Sequence, residues 1–350
     1  MNAISGNLSI HTLSEADIDR WDAYVHAHES ATFFHRAGWQ QVIEKSFGHR
    51  PYYAYVTRGG EICGVLPLVH VKSILFGNRL ASTPFCVEGG PLASDDAARA
   101  ALDDYAIGLA DTLGVDYLEY RSRAVTRPDW ACKDDLYYGF RREIDATPEG
   151  NLKAIPRKQR AVVRKAIDAQ ILHDEVDEGP DRFFHAYATS VRDLGTPVFS
   201  KRYCDNLKEA FGDDCEYLVV ATSDGRPVSG VLQFYFRDEV LPYYGGGTAE
   251  ARTTGAYGYM YWRSACRAAE KGVRIFDFGR SKKDTGAFAF KKNWGFEPQP
   301  LCYEYRMKPG TEMPDVNPLN PKYRLMINTW KRLPLPVANV LGPRLFGAVG

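Results

Sequence analysis

The densest chemistry in the chain lies in residues 278–295, Phe-Gly-Arg-Ser-Lys-Lys-Asp-Thr-Gly-Ala-Phe-Ala-Phe-Lys-Lys-Asn-Trp-Gly. Arg280, Lys282, Lys283, Lys291 and Lys292 face one acid, Asp284, and Gly279 and Gly286 let the backbone approach a ligand closely. Phe288, Phe290 and Trp294 alternate with the cations, as in a loop that both stacks and neutralises. The plainer alternative is a strand with Phe288 and Phe290 inward and the lysines solvated. Asp277 closes the strand-like run just before, where α/β proteins tend to place ligands. It either orients or deprotonates an amine, or caps the strand and pairs with Arg274 or Arg280. Tyr243, Tyr244 and Tyr257 offer phenols as acids, and the sequence does not choose among them. These are the parts that aminolysis of an ester or thioester requires: a neutral amine, a stabilised oxyanion and a route for the departing proton.

A second concentration of charge lies in residues 151–165, where Lys153, Arg157, Lys158, Arg160, Arg164 and Lys165 meet no acid. Arg157, Arg160 and Arg164 follow at i, i+3 and i+7, so one helix, expected over 151–169, would put three guanidinium groups on one face. Such a face suits phosphate oxygens, and equally a solvated linker. No G-x-S-x-G elbow, Ser-His-Asp order or H-E-x-x-H spacing is present, which disfavours a covalent hydrolase and a zincin.

The elements that must hold these residues read as a repeat. Gly114–Arg123 recurs as Gly272–Ser281, displaced by 272 − 114 = 158 residues. Phe33-Phe34 and Phe183-Phe184, Phe47-Gly48 and Phe211-Gly212, the turns at Gly59-Gly60 and Asp224-Gly225, and the clusters Gly89-Gly90 and Gly245–Gly247 keep the same order. Each copy reads as two helices, a β-hairpin, a strand, an amphipathic helix ending at glycine, and a late strand. The second copy places helices at 181–194, 201–211 and about 257–271. Two homologous α/β domains follow, 1–148 and 149–308, with a proline-rich arm, 309–350, that packs on the first domain or touches a membrane.

The composition agrees. A length of 350 residues suits two domains, and 45% hydrophobic content suits packed cores. Lys+Arg and Asp+Glu balance at 44 each, so no global field recruits nucleic acid or membrane. Seven cysteines without a C-x-x-C pattern indicate neither a disulfide framework nor a zinc site and point to the cytosol. The first residues lack the basic and apolar regions of a leader.

The runs Phe276-Asp-Phe-Gly-Arg-Ser281 and Phe290-Lys-Lys-Asn-Trp-Gly-Phe296, the basic segment Arg157–Lys165, and Trp39, Gly64–Leu68 and Gly89–Pro91 together resemble the FemAB-type aminoacyl/acyl transferases. The resemblance covers about residues 8–308 and is greatest to the branch found with exosortase/PEP-CTERM exopolysaccharide systems. It implies an α/β (α+β) fold of two tandem GNAT-like acyltransferase domains related by internal duplication. It also implies transfer of an acyl or aminoacyl group to an amine of a cell-wall or exopolysaccharide precursor by a monomer at the inner face of the membrane. No tightly bound cofactor is expected, the donor being acyl-CoA or aminoacyl-tRNA and the acceptor a small or lipid-linked saccharide or peptide. On this basis Lys291, Asp277, Arg280 and Phe290 form the expected catalytic group, with Lys291 on donor phosphate or oxyanion. Arg157, Arg160, Arg164, Lys282, Lys283, Tyr244, Tyr257 and Trp294 are expected to bind substrate. Two departures stand out: Pro180–Gly212 has no room for the long helical arm of tRNA-using relatives, and Arg252–Gly258 only nearly meets the GNAT signature Q/R-x-x-G-x-G/A. Gly255 and Gly258 at a helix N-terminus would still suit a phosphate. A catalytically silent pair of GNAT-like domains binding an anionic saccharide or nucleotide is the alternative.

Overall fold

The computed structural model describes residues 7–73, 77–314 and 324–349. The leader reading of the first six residues, and Pro318, Pro321 and Lys322 of the arm, lie outside the described residues. The chain opens with β1 (Leu8–Thr12), α1 (Ile18–Ala27), α2 (Gly38–Phe47), β2 (Arg50–Arg58), β3 (Glu61–Ser73) and β4 (Gly77–Ser82). It continues through β5 (Leu92–Ala93), α3 (Asp96–Leu113), β6 (Tyr117–Ser122), β7 (Ala131–Lys133) and β8 (Tyr137–Glu143). Then come α4 (Pro148–Ala154), α5 (Arg157–Ala169), β9 (Leu172–Asp177), α6 (Asp181–Leu194), α7 (Lys201–Phe211), β10 (Cys215–Thr222), β11 (Pro227–Phe236) and β12 (Glu239–Gly247). Last are α8 (Glu250–Thr254), α9 (Ala256–Glu270), β13 (Ile275–Lys282), α10 (Gly286–Asn293), β14 (Pro298–Pro300), β15 (Cys302–Met307), α11 (Arg324–Trp330) and α12 (Leu335–Val349).

Two sheets have the same plan. One runs β1-β2-β3-β4-β6-β15-β7, and the other, from its opposite edge, β9-β10-β11-β12-β13-β8-β14. In each, the only parallel pair among the described residues joins the fourth and fifth strands, β4 with β6 and β12 with β13. The helix between them, α3 or α9, makes the crossover. Local signals explain the elements. Gly59 and Gly60 both have left-handed φ, 60° and 90°, in the two-residue turn between β2 and β3, the geometry that glycine supplies for a hairpin. Asp95 caps α3 by accepting from the Ala98 N–H at 2.9 Å. Ala98, Leu102, Ala106 and Ala110, one α3 face, then pack on Leu66, Leu68, Leu118 and Tyr120 to form the first core. In the second, Ala256 and Met260 of α9 meet Leu218, Val220 and Val231, and Ala265 and Ala268 meet Val240 and Phe276.

The compact units differ from the predicted boundaries. Unit 1 comprises Met1–Asp135, Leu301–Pro314 and Ala348–Gly350, and unit 2 comprises Leu136–Pro300 and Asp315–Gly347. β8, assigned by sequence to the first domain, pairs with β13, and β15, assigned to the second, pairs with β6. The helix expected over 151–169 is two, broken at Ile155-Pro156 because proline cannot donate within a helix interior. The arm also needs correction: α11 and α12, as far as Gly347, belong to unit 2, while 309–314 and 348–350 belong to unit 1. Gly342 of α12 lies against Val198, Phe346 stacks edge-on with Phe199 at 5.4 Å, and Arg192 donates to Leu333 O at 2.9 Å. Of the repeat landmarks, Phe33-Phe34 follows α1 whereas Phe183-Phe184 opens α6, so that doublet is not equivalent.

Candidate active site

In unit 2, β12 and β13 pair only at Glu239–Ile275 and Val240–Phe276, then part. Beyond that point β12 keeps its bonds to β11 and β13 its bonds to β8, so the sheet opens between two strand ends. Tyr261 of α9 fills the opening. Its ring lies 4.6 Å from Phe278 and 5.7 Å from Phe290, and its hydroxyl sits against the α-carbon of Gly245, where any side chain would clash. Burial raises its phenol pKa. One turn earlier, Tyr257 donates to Gly247 O at 3.2 Å and lies 3.1 Å from Ser190 Oγ. Tyr244 meets Tyr203 hydroxyl to hydroxyl at 3.2 Å. The glycines at 245–247 thus let four tyrosines and a serine crowd one strand end.

On the other side of the opening, β13 turns at Gly279, whose φ of 64° few other residues adopt. The Asp277 carboxylate accepts the Gly279 N–H at 2.8 Å, and the register to β8 slips between Asp277 and Arg280. Lys291 reaches in from α10 and donates to Gly279 O at 3.3 Å and Arg280 O at 3.0 Å. It also lies over Phe140 and Phe278, at 5.3 and 5.5 Å. Only 9% exposed, its ammonium is lowered to about 7, chiefly by desolvation; Asp277 opposes that shift and Arg280 adds to it. Half of the lysine is therefore neutral near neutral pH. Arg280 and Lys282 stack on Tyr137 at 4.8 and 5.3 Å. Ser281, quoted in the sequence motif but not among the expected site residues, is buried, and its Oγ has no hydrogen-bond partner among the described residues.

The structure therefore gathers Asp277, Arg280 and Lys291, with Asp277 in the capping role that the sequence left as one of two. It separates others. The 286–293 segment is neither loop nor strand but a helix, capped by Thr285, which accepts from Phe288 N at 3.3 Å. The capping threonine was the signal for it. Phe290 and Trp294 then share one face and join the core of unit 2, Trp294 being only 3% exposed, so neither offers a stacking platform. Lys283 and Lys292 are exposed. On α5, Arg157 and Arg164 face solvent and Arg160 donates to Lys153 O at 3.1 Å, while Val163 and Ala166 are buried. Val163 sits where a Gly258 side chain would be, 3.0 Å away, and Ala166 beside Gly255. Those two glycines at the start of α9 admit a neighbouring helix.

Residues 152–292 match the family model of the acetyltransferase (GNAT) domain. That stretch of the second unit is thus similar to a GNAT acetyltransferase domain. Solved structures extend the likeness in fold over both units. FemX matches with a TM-score of 0.68 at 17% identity, covering 91% of this chain and 100% of its own. L-PGS from Bacillus licheniformis matches at 0.55 and 14%, over 94% and 96% of the two chains. A tandem GNAT protein from the clavulanic acid biosynthesis pathway matches at 0.54 and 14%, over 87% and 100%. No curated protein matches the sequence. The fold is thus two GNAT-like domains and the class acyltransferase, with β12, α9 and β13 as the GNAT parallel pair and its crossover.

Proposed function

We propose that unit 2 transfers an acyl or aminoacyl group to an amine of a cell-wall or exopolysaccharide precursor. The observation that carries this is the parting of β12 and β13 with a buried, partly neutral lysine, a buried carboxylate and a phenol cluster at its two edges. In this reading the donor carbonyl lies at the mouth of the opening beside Tyr261, the amine adds to it, and the oxyanion is met by the cations at the Gly279 turn. A phenol or Lys291 protonates the leaving group as its bond to the carbonyl carbon breaks, and takes up in exchange the proton that the attacking amine sheds. Lys291 in addition fixes the turn that presents Arg280.

The exposed Arg157 and Arg164 of α5, which packs beside the start of α9, offer a cationic surface that supports aminoacyl-tRNA as donor. The acetyltransferase family match supports acyl-CoA as the second donor. The motif resemblance to the exosortase-associated branch supports an exopolysaccharide amine as acceptor at the inner face of the membrane. Purified protein incubated separately with acyl-CoA and with aminoacyl-tRNA, each with amino-sugar and peptide acceptors, tests this by mass spectrometry. Transfer from one pool identifies the donor. No transfer from either overturns the catalytic reading in favour of a module that binds an anionic saccharide or nucleotide.

A further inference from the structure

Twelve large hydrophobic residues are exposed among those described, and five of them lie on the last two helices: Leu325 and Met326 on α11, Val337, Val340 and Leu341 on α12. The other faces of these helices hold them on unit 2. Ile327 packs on Gly195, Trp330 and Ala338 are buried, and Gly342 and Phe346 meet Val198 and Phe199. Val337, Val340, Leu341 and Arg344 follow at i, i+3, i+4 and i+7, so the exposed apolar residues of α12 form one stripe ending in a cation. A helix apolar on both faces belongs inside a core or against lipid, and contiguous apolar stripes on a soluble surface mark an interaction site.

Charge selects the partner. No Asp or Glu follows Asp315, whereas Lys331, Arg332 and Arg344 are exposed beside the stripe. A symmetric contact with a second copy would set these cations against themselves. An anionic surface neutralises them. α12 has 15 residues with Pro343 inside, and no helix among the described residues is long and apolar enough to cross a membrane, so the geometry suits lying on a bilayer rather than spanning it. We infer that α11 and α12 form a docking face for an anionic phospholipid surface, with Leu325, Met326, Val337, Val340 and Leu341 entering the headgroup boundary and Lys331, Arg332 and Arg344 at the phosphates. The inference is independent of the donor and acceptor of the transfer reaction.

The test is co-sedimentation of the full chain with phosphatidylcholine vesicles with and without phosphatidylglycerol, together with light scattering for oligomeric state. Binding should require phosphatidylglycerol and weaken with salt. The combined Lys331→Gln, Arg332→Gln and Arg344→Gln variant should partition on the order of 100-fold more weakly, at roughly five-fold per cation lost near the surface. Val337→Ser, Val340→Ser and Leu341→Ser together should abolish binding while unfolding stays cooperative. As a readout that needs no loss, the indole emission of Val340→Trp should shift to the blue when anionic vesicles are added. A wild-type protein that stays in the supernatant with anionic vesicles overturns the inference, as do serine variants that bind as well as wild type. A dimer that the serine variants dissociate, without vesicle binding, assigns the face to a second copy instead.

Discussion

Replacing Lys291 by Met should change how the stability of unit 2 depends on pH more than it changes stability at any one pH. Burial holds the lysine at about 7, against 10.5 for the free side chain. Between those values the unfolded chain binds the proton and the native state does not, so this group makes native stability rise as pH rises from about 7 and level off above 10.5. The difference, 10.5 − 7 = 3.5, amounts at 1.36 kcal/mol per pH unit to about 5 kcal/mol over the whole window, of which roughly 3–4 kcal/mol falls between pH 7 and pH 10. Other lysines, tyrosines and cysteines titrate in the same range, but they are common to both proteins and cancel in the difference. The methionine fills the same apolar space and forgoes the two bonds to Gly279 O and Arg280 O, which the neutral amine also donates, so that loss adds an offset between the curves and no slope across the window. Urea unfolding of wild type and Lys291→Met across this range, following the transition of unit 2, should therefore give stability curves that diverge, with wild type gaining on the variant as pH rises. Parallel curves would refute the argument, because they would mean that the ammonium is as well solvated in the native state as in the unfolded chain. Transfer by the variant should fall on the order of 100-fold, while Lys292→Ala, with its side chain in solvent, should remain near wild type.

Ser281→Ala should leave thermal stability equal or higher, since a buried hydroxyl without a partner contributes desolvation and no bond, yet it should slow transfer if that hydroxyl is kept for substrate; a lower melting temperature would reveal a hidden partner. Replacing Arg157, Arg160 and Arg164 together by Gln should weaken binding of a polyanionic donor and flatten its salt dependence by about two to three counterions, with folding unchanged; equal loss of stability and binding would return α5 to a linker role. Gly258→Val should destabilise by about 1–3 kcal/mol in urea, because Val163 occupies the space its side chain needs; a neutral effect would show that α5 does not seat on α9 as described.

Much of the frame was legible because local chemistry dictates it. α6 and α7 run over 181–194 and 201–211 as predicted, since Gly195 and Gly212 end them and Ser200 caps the second, accepting from Tyr203 N. The strand expected over 274–278 follows from Gly272 and the alternation of Phe276 and Phe278 with Asp277, and it runs on to Lys282 through residues that the sequence read as the start of a loop. What failed was what a single segment does not encode. β8 and β15 carried no strand prediction and fell inside the boundaries drawn for the other domain, since hydrogen-bond donors along a strand do not specify which sheet they complete. α10 has only eight residues, too few for a 3.6-residue period to stand out from the alternation of Phe288 and Phe290. The arm was assigned to the wrong unit because its docking depends on Gly195 and Gly342 making room, and the space a missing side chain leaves is visible only in three dimensions. Tyr261 was missed for the same reason: its place in the opening depends on Gly245, sixteen positions earlier, having no side chain.

The repeat itself gives a reason to place the proposed chemistry in one copy. The displacement of 158 sets Glu119 against Asp277 and Arg121 against Gly279. In unit 1, Arg121 donates to Glu119 at 2.9 Å within its own strand, and both are almost fully buried, so the carboxylate is neutralised by its neighbour. The gap beyond β4 and β6 is then closed by the loop that follows β4, where the N–H groups of Gly89 and Gly90 both bond to Arg121 O, at 3.1 and 3.0 Å. In unit 2 the arginine position is glycine. The strand turns there with positive φ, no loop pairs across, and the missing cation arrives from α10 as Lys291, which bonds to the turn's carbonyls instead of to the carboxylate. A buried ion pair within a strand is a fixed structural element. A lysine near its titration point over a bent strand, beside an opened sheet, is a group whose protonation can change during a reaction. One substitution in the repeat, arginine to glycine, thus separates a sealed sheet from an open one.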